Sequence, residues 1–445
     1  MTVDVAIVGG GLSGLSAAME LVLQGVHVAL FEQSPRLGGR CYSYPDKKTG
    51  DIVDNGQHVL LGAYKHTLRY LEIVGTRDSL KKQPTLLLPL HHPVKGFTEL
   101  KLPSLPRPLH LTAGMLKFKL LSLKERRQLL NVGVALRRWN ARLEEELSSL
   151  TVSEWLIQLK QSRVAQECLW YPLAVSIMNE VPQHASALLF GRSLKAAFFG
   201  STSDASILLP TIGQSELYVD GAERILRHKK AKIFMNAEVS TLEVLHSNVK
   251  GVRLKNGTCC FAGAVISAVP YFGVKKIIPP NFHHTVPFSN VELFQSSPIV
   301  SLHLWFDAEF MEADFTGLIG KRLQWVFNRR RIMGSRGRGS SYLSAVVSGA
   351  HDIVDLSKTR LVQIACEDLK DVFPAYARAK LLHSVVIKEK RATFSPTNET
   401  EPFRPAAETP IRNFFLAGDW TDTGLPATIE GAILSGVNAA KIISG

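Results

Sequence analysis

The chain has 445 residues, 45% of them apolar, and carries 52 lysines and arginines against 39 aspartates and glutamates, a net charge of +13. That apolar content excludes a disordered chain, and at about 150 residues per domain the length allows two large domains or three ordinary ones. The cysteines number five, with no C-x-x-C pair, which speaks against a disulfide framework or a cysteine zinc site and for a reducing compartment; no metal is expected. No run of 18 clean apolar residues occurs, and the amino terminus opens into a strand-like run without a basic leader, so a soluble or peripherally bound intracellular chain is expected.

Residues 3–8 read as a buried strand. Gly9-Gly10-Gly11-Leu12-Ser13-Gly14 follows, then a helical pattern with apolar residues at Leu12, Leu15, Met19 and Val22 that Gly25 is placed to end. A second strand, 26–31, stops at Glu32. Strand, glycine turn, helix, strand and acid in this register predict a dinucleotide site. Gly9 permits the tight turn, Gly11 the close approach of a pyrophosphate, and Gly14 the packing of helix on sheet. The helix start around Ser13 offers free N–H groups and a favourable dipole to phosphate. Glu32 can accept hydrogen bonds from ribose hydroxyls and would repel a 2′-phosphate. The plain alternative is a structural strand–helix turn. Just beyond, Gly38-Gly39-Arg40 combines two glycines that let backbone pass close to a cofactor with a planar fork suited to diphosphate; alone, it reads equally as a glycine turn with a solvated arginine.

Window 101–142 holds ten basic residues, Lys101, Arg107, Lys117, Lys119, Lys124, Arg126, Arg127, Arg137, Arg138 and Arg142, and one acid, Glu125. Leu116, Phe118, Leu120 and Leu121 are expected to share a helix face there. Such a basic amphipathic segment can lie in an anionic membrane interface; a solvated helix face is the alternative, and no nucleic-acid reader motif accompanies it. Further on, strand-like runs occur at 299–306, 323–327, 342–347 and 384–391, with a helix at 359–373 ended by Pro374. The run from Arg329-Arg330-Arg331 to Arg338, interspersed with glycine, reads as an exposed turn. Near the carboxy terminus, 413–419 reads as a strand ending in Gly418-Asp419, and a helix opens near Thr428.

Segments 32–43 and 413–440 together resemble the flavoprotein superfamily that holds the amine oxidases and phytoene desaturases. The resemblance implies FAD as cofactor. It implies that Asp419 serves the ribityl and diphosphate region, and that the helix start Thr428-Ile429-Glu430-Gly431-Ala432 points its N–H groups at flavin and diphosphate. Gly56 and Gln57 would run beside the isoalloxazine. Residues 231–239 resemble the segment that brackets the adenine through the main chain of Val239, though a plain core strand fits them equally. The expected fold is α/β: a Rossmann-like FAD-binding domain in three pieces (1–62, 208–272 and 410–445) with an interleaved α+β substrate domain (63–207, mostly helical, and 273–409).

Asp54-Asn55-Gly56-Gln57-His58 through Tyr64, Trp325-Val326-Phe327-Asn328, residues 389–394 and residues 417–428 resemble more narrowly the hydroxysqualene dehydroxylases, first described as squalene-associated FAD-dependent desaturases. Thr428 stands where amine oxidases commonly carry an aromatic residue, which argues against an amine substrate. The implied activity is reduction of hydroxysqualene to squalene and water in bacterial squalene and hopanoid biosynthesis. It brings a hydrophobic C30 isoprenoid substrate, an electron donor that the sequence does not identify, and a peripheral place on the inner face of the cytoplasmic membrane. A carotenoid or polyprenyl desaturase is the alternative, and a non-catalytic flavin-fold binding protein a second. Loss of hydroxide requires a proton donor near the flavin. His58 is the first candidate, since its ordinary pKa lies near operating pH, and Tyr64 the second; otherwise Gln57 and His58 only hydrogen-bond flavin or backbone. Asp54 is expected to orient this turn.

Overall fold

The computed structural model describes residues 1–445 except 107–108, 202 and 335–339, so Arg107 of the basic window and Arg338 of the arginine run lie outside the described residues. β1 (Thr2–Val8) lies at the middle of a seven-stranded sheet. β2 (Val28–Phe31) pairs with it in parallel on one side and Cys259–Ser267 on the other. Lys232–Phe234 extends the sheet beyond β2, and Phe414–Leu416 lies parallel to the far half of Cys259–Ser267. An antiparallel pair, Val239–Leu245 and Asn248–Leu254, completes it on the near half. Val5 to Val8 and all of β2 are buried, as expected for parallel strands covered on both faces.

Strands from the head, middle and tail of the chain thus share one sheet, and two helices bind head to tail. α1 (Leu12–Leu23) packs along the last helix, Ile429–Ser444. Gly436 allows the contact, because a methyl there would overlap the Ser13 carbonyl and the Ser16 hydroxyl. Ser16 Oγ donates to the Ile433 carbonyl at 2.9 Å across the same contact.

A second seven-stranded sheet runs Leu381–Phe394, Ser296–Phe306, Ser341–Ser348, Trp325–Asn328, Phe315–Leu318, Leu87–His92, Gly96–Lys101. Helix Lys358–Val372 packs Leu361, Ala365 and Leu369 into the core that its central strands supply with Val300, Leu302 and Leu304. Between residues 109 and 199 the chain is mainly helical around Leu129, Trp155, Trp170 and Phe190. The hairpin Leu87–His92/Gly96–Lys101 joins the second sheet from the otherwise mostly helical stretch. One expectation for the earlier region needs correction. Phe118, Leu120 and Leu121 do not share a helix face with Leu116: the helix ends at Lys117, and these three side chains turn inward into the core while Leu116 is exposed. The break follows from Ser122, whose hydroxyl accepts from Glu125 N in a capping box that starts a new helix, Leu123–Arg137.

Candidate active site

β1 ends at Gly9, whose φ of +106° is a glycine conformation and whose missing Cβ leaves room for the Ala268 carbonyl. A side chain at Gly14 would overlap the Gly9 carbonyl. These two glycines are demanded by the protein itself. Gly11 is different: its φ is −72°, and an added Cβ would meet no protein atom within 4 Å. Neither backbone nor packing requires glycine there, and the space in front of it is open to a ligand. α1 starts at that point with no side-chain cap, which leaves the N–H groups around Ser13 and Gly14 to an anion.

The remaining pieces of the cradle close on this turn. Gly38 N donates to the Gly10 carbonyl at 2.8 Å, and Gly39, at φ +60°, stacks so tightly that its Cβ would stand 3.2 Å from Gly11 Cα. Glu32 is buried, its oxygens accepting from Gly10 N at 2.7 Å and Ser34 N at 2.8 Å, so the acid at the end of β2 is locked beside the glycine turn. Asn236 N and Ala237 N donate to the Ser34 and Glu32 carbonyls, which sets the start of the Val239 strand alongside that acid; Val239 itself pairs with Leu254 in the sheet. Arg40 Nη2 donates to Asp419 Oδ2 at 2.9 Å and Nη1 to the Ala392 carbonyl, so one guanidinium ties head, tail and second sheet together. Gly418, at φ +150°, lies against the Trp420 indole and donates to Ser435 Oγ at 2.8 Å.

The last helix departs from expectation. Gly431 N donates to Thr428 Oγ1 and Ala432 N to the Thr428 carbonyl, so these two N–H groups serve the helix's own N-terminus rather than a ligand. The Glu430 carboxylate accepts from His66 N, Thr67 N and Thr67 Oγ1 at 2.7–2.9 Å, which spends it on the amino end of helix Lys65–Val74. Its side chain is thereby a helix–helix tie.

The 54–58 turn is held from behind. Asp54 accepts from Gln214 N at 3.0 Å, as expected of an orienting carboxylate, and burial raises its pKa against the pull of Arg329. Gln214 Nε2 donates to the Gly56 carbonyl, and Asn55 Nδ2 to the Arg40 carbonyl at 2.9 Å. Gln57 Nε2 donates to the His58 carbonyl at 3.1 Å. Two buried polar atoms of this turn, Asn55 Oδ1 and His58 Nδ1, have no hydrogen-bond partner in the protein. Burial, reinforced by Arg40, pushes His58 down to about 4. The imidazole is therefore neutral at pH 7, and the expected acidic proton near operating pH is not there. Burial also pushes Tyr64 up, within the apolar core at the start of helix Lys65–Val74, which makes it a weaker acid than a free phenol.

The arginine run is corrected too. Arg329 is 1% exposed, with Nη1 donating to Gln57 Oε1 at 2.6 Å and Nη2 standing 2.8 Å from Asp54 Oδ2. Arg330 forks onto both oxygens of Asp51 at 2.6 and 2.9 Å. A clue was available in the acids Asp51 and Asp54 flanking a short strand, but their partners lie some 275 residues away in sequence.

An open space before an unforced glycine, an uncapped helix start, an acid at the second strand and unpartnered polar atoms on the 54–58 turn fit FAD. The fold and the cradle define a dinucleotide-binding flavoprotein. The chain belongs to the flavin containing amine oxidoreductase family, whose profile matches residues 12–444, and it is an FAD-dependent oxidoreductase. It is 28% identical over 451 residues to hydroxysqualene dehydroxylase of Zymomonas mobilis, covering 98% of each chain. It is 26% identical to 15-cis-phytoene desaturase of Narcissus pseudonarcissus, covering 99% of this chain and 79% of that protein. In fold it is similar to a solved oxidoreductase from Methanosarcina mazei, with a TM-score of 0.75, 17% identity and full coverage of both chains.

Proposed function

We propose that the protein reduces hydroxysqualene to squalene and water. The observation that carries this reading is the end-to-end similarity to hydroxysqualene dehydroxylases. Reduced FAD, when bound, would supply the hydride. The balance is two electrons and two protons in, with one C–O bond replaced by a C–H bond and one water out. The protein's share is to keep bulk water from an allylic cation and to bind the leaving oxygen. The unpartnered Nδ1 of neutral His58 is the group offered for the second.

Substrate of this kind arrives from a membrane. Leu109, Leu116 and Leu123 are exposed beside Lys117, Lys119, Lys124 and Arg127, and we assign this patch to an anionic lipid surface, on the inner face of the cytoplasmic membrane. Among the described residues no helix is long and apolar enough to cross a bilayer. Changing the four basic residues to Glu is expected to reduce co-sedimentation with anionic liposomes; unchanged sedimentation removes the assignment.

Anaerobic incubation of pre-reduced protein with hydroxysqualene tests the activity, with squalene detected by mass. Bleaching of the oxidised protein by polyene precursors, with no squalene formed from hydroxysqualene, replaces this reading with the desaturase one, which the similarity to phytoene desaturases favours.

A further inference from the structure

We propose that Arg329 is a positioning residue for the flavin site, acting through Gln57, and that Arg329 and Arg330 together clamp the second sheet onto the 51–58 segment. The clamp has two jaws. Strand Ile52–Asp54 carries a carboxylate at each end, Asp51 before it and Asp54 at its close. Arg330 takes Asp51 with both arms, and Trp305 Nε1 adds a bond to the same carboxylate at 2.8 Å. Arg329 reaches past Asp54 to Gln57, two residues from the asparagine and one from the histidine whose polar atoms lack protein partners. Both arginines leave strand Trp325–Asn328 in a single helical turn, which Asn328 caps by accepting from Arg331 N at 3.2 Å. Tyr342 closes the back of the clamp, donating to the Ile52 carbonyl at 3.1 Å with His303 Nδ1 2.8 Å from its hydroxyl.

A planar fork is required at Arg329. One arm neutralises Asp54 while the other holds the Gln57 carbonyl oxygen, which leaves Gln57 Nε2 to donate to the His58 carbonyl and so sets the turn. A lysine ammonium is a freely rotating point charge on a different stem and lacks the fixed planar spread that holds both partners in this geometry. The inference rests on FAD binding alone and stands whichever isoprenoid reaction the protein runs.

The test reads the FAD dissociation constant and the visible spectrum of the bound flavin, beside the melting of the same holoprotein. Because R329M alone would strand Asp54 in the interior, D54N/R329M removes both charges together. It is expected to fold, to bind FAD at least tenfold more weakly and to show a shifted flavin band. Q57L should reproduce the shift, and adding it to D54N/R329M should shift the band no further. R329K should resemble D54N/R329M in spectrum. A double variant that folds with wild-type affinity and spectrum overturns the proposal. So do an R329K protein indistinguishable from wild type and effects of Q57L and D54N/R329M that simply add. If D54N/R329M does not fold, R329K decides: wild-type FAD affinity and spectrum overturn the proposal, and weaker binding with a band shifted as in Q57L supports it.

Discussion

The glycine turn at 9–14 and the clamp at 51–58 both frame the candidate flavin site, yet they are built on opposite principles. In the first, the requirements are local: φ at Gly9, contact at Gly14 and open space at Gly11 arise within six residues. In the second, nothing works without a partner some 275 residues away. A turn of the first kind can be read from spacing. A charge pair of the second kind looks, from sequence alone, like two solvated groups.

The sharpest way to break the first half of this contrast is to substitute its glycines separately. Gly14→Val places side-chain atoms inside the Gly9 carbonyl and is expected to abolish soluble folded protein. Gly11→Val meets no protein atom at its Cβ. It should melt near the wild-type temperature while FAD binding weakens about a hundredfold or more, about 2.7 kcal/mol or above. Melting and flavin content of the purified proteins check both. If Gly11→Val also fails to fold, the space before it is not ligand space.

For the clamp, the stability of single substitutions measures how far the two arginines differ. Arg329→Met leaves Asp54 unpaired in the interior and is expected to cost about 3–5 kcal/mol in denaturant unfolding. Arg330 is partly exposed, and its Asp51 partner also accepts from Trp305. Arg330→Ala should cost about 1–2 kcal/mol. Equal losses would mean that burial does not set the two apart.

Legibility follows the same division elsewhere. The strands expected at 299–306, 342–347 and 384–391 fall inside Ser296–Phe306, Ser341–Ser348 and Leu381–Phe394 because their apolar runs are long and β-branched residues are frequent. Hairpin Leu87–His92/Gly96–Lys101 escaped because Pro89 interrupts its first strand and three leucines hide its alternation. The capping box at Ser122 and Glu125 was present in the sequence and would have split the basic segment into two helices. In the last helix, a start signal was legible, but the partner of Glu430 on helix Lys65–Val74 was not, since more than 360 residues separate them.

His58 tests whether the turn contributes chemistry beyond shape. His58→Ala should keep FAD and lower turnover about tenfold, the size of one hydrogen bond of about 1.4 kcal/mol to a reacting group. Turnover of pre-reduced protein, with flavin absorbance as the binding control, checks it; full activity would leave His58 a structural residue.

The smallest effect concerns protons. Burial lowers His58 to about 4 and His303 to about 3, against 6.5 when unfolded. On unfolding, each takes up a proton that the folded state refuses, so the stabilisation is present above pH 6.5 and drains away as pH falls toward 4. Asp54 acts in the opposite sense near the bottom of this window, because burial raises its pKa and the folded state gains a proton there. Between pH 7 and pH 5.5 the histidines dominate, each removing no more than about 1.4 kcal/mol. The wild-type melting temperature should therefore fall over that interval. His58→Gln, with no titrating ring, should lose part of the slope while His303, and His91, which burial also lowers, keep the rest. A slope unchanged by His58→Gln would place its imidazole in contact with water, and the neutral, enclosed histidine on which its hydrogen-bonding role depends would be lost.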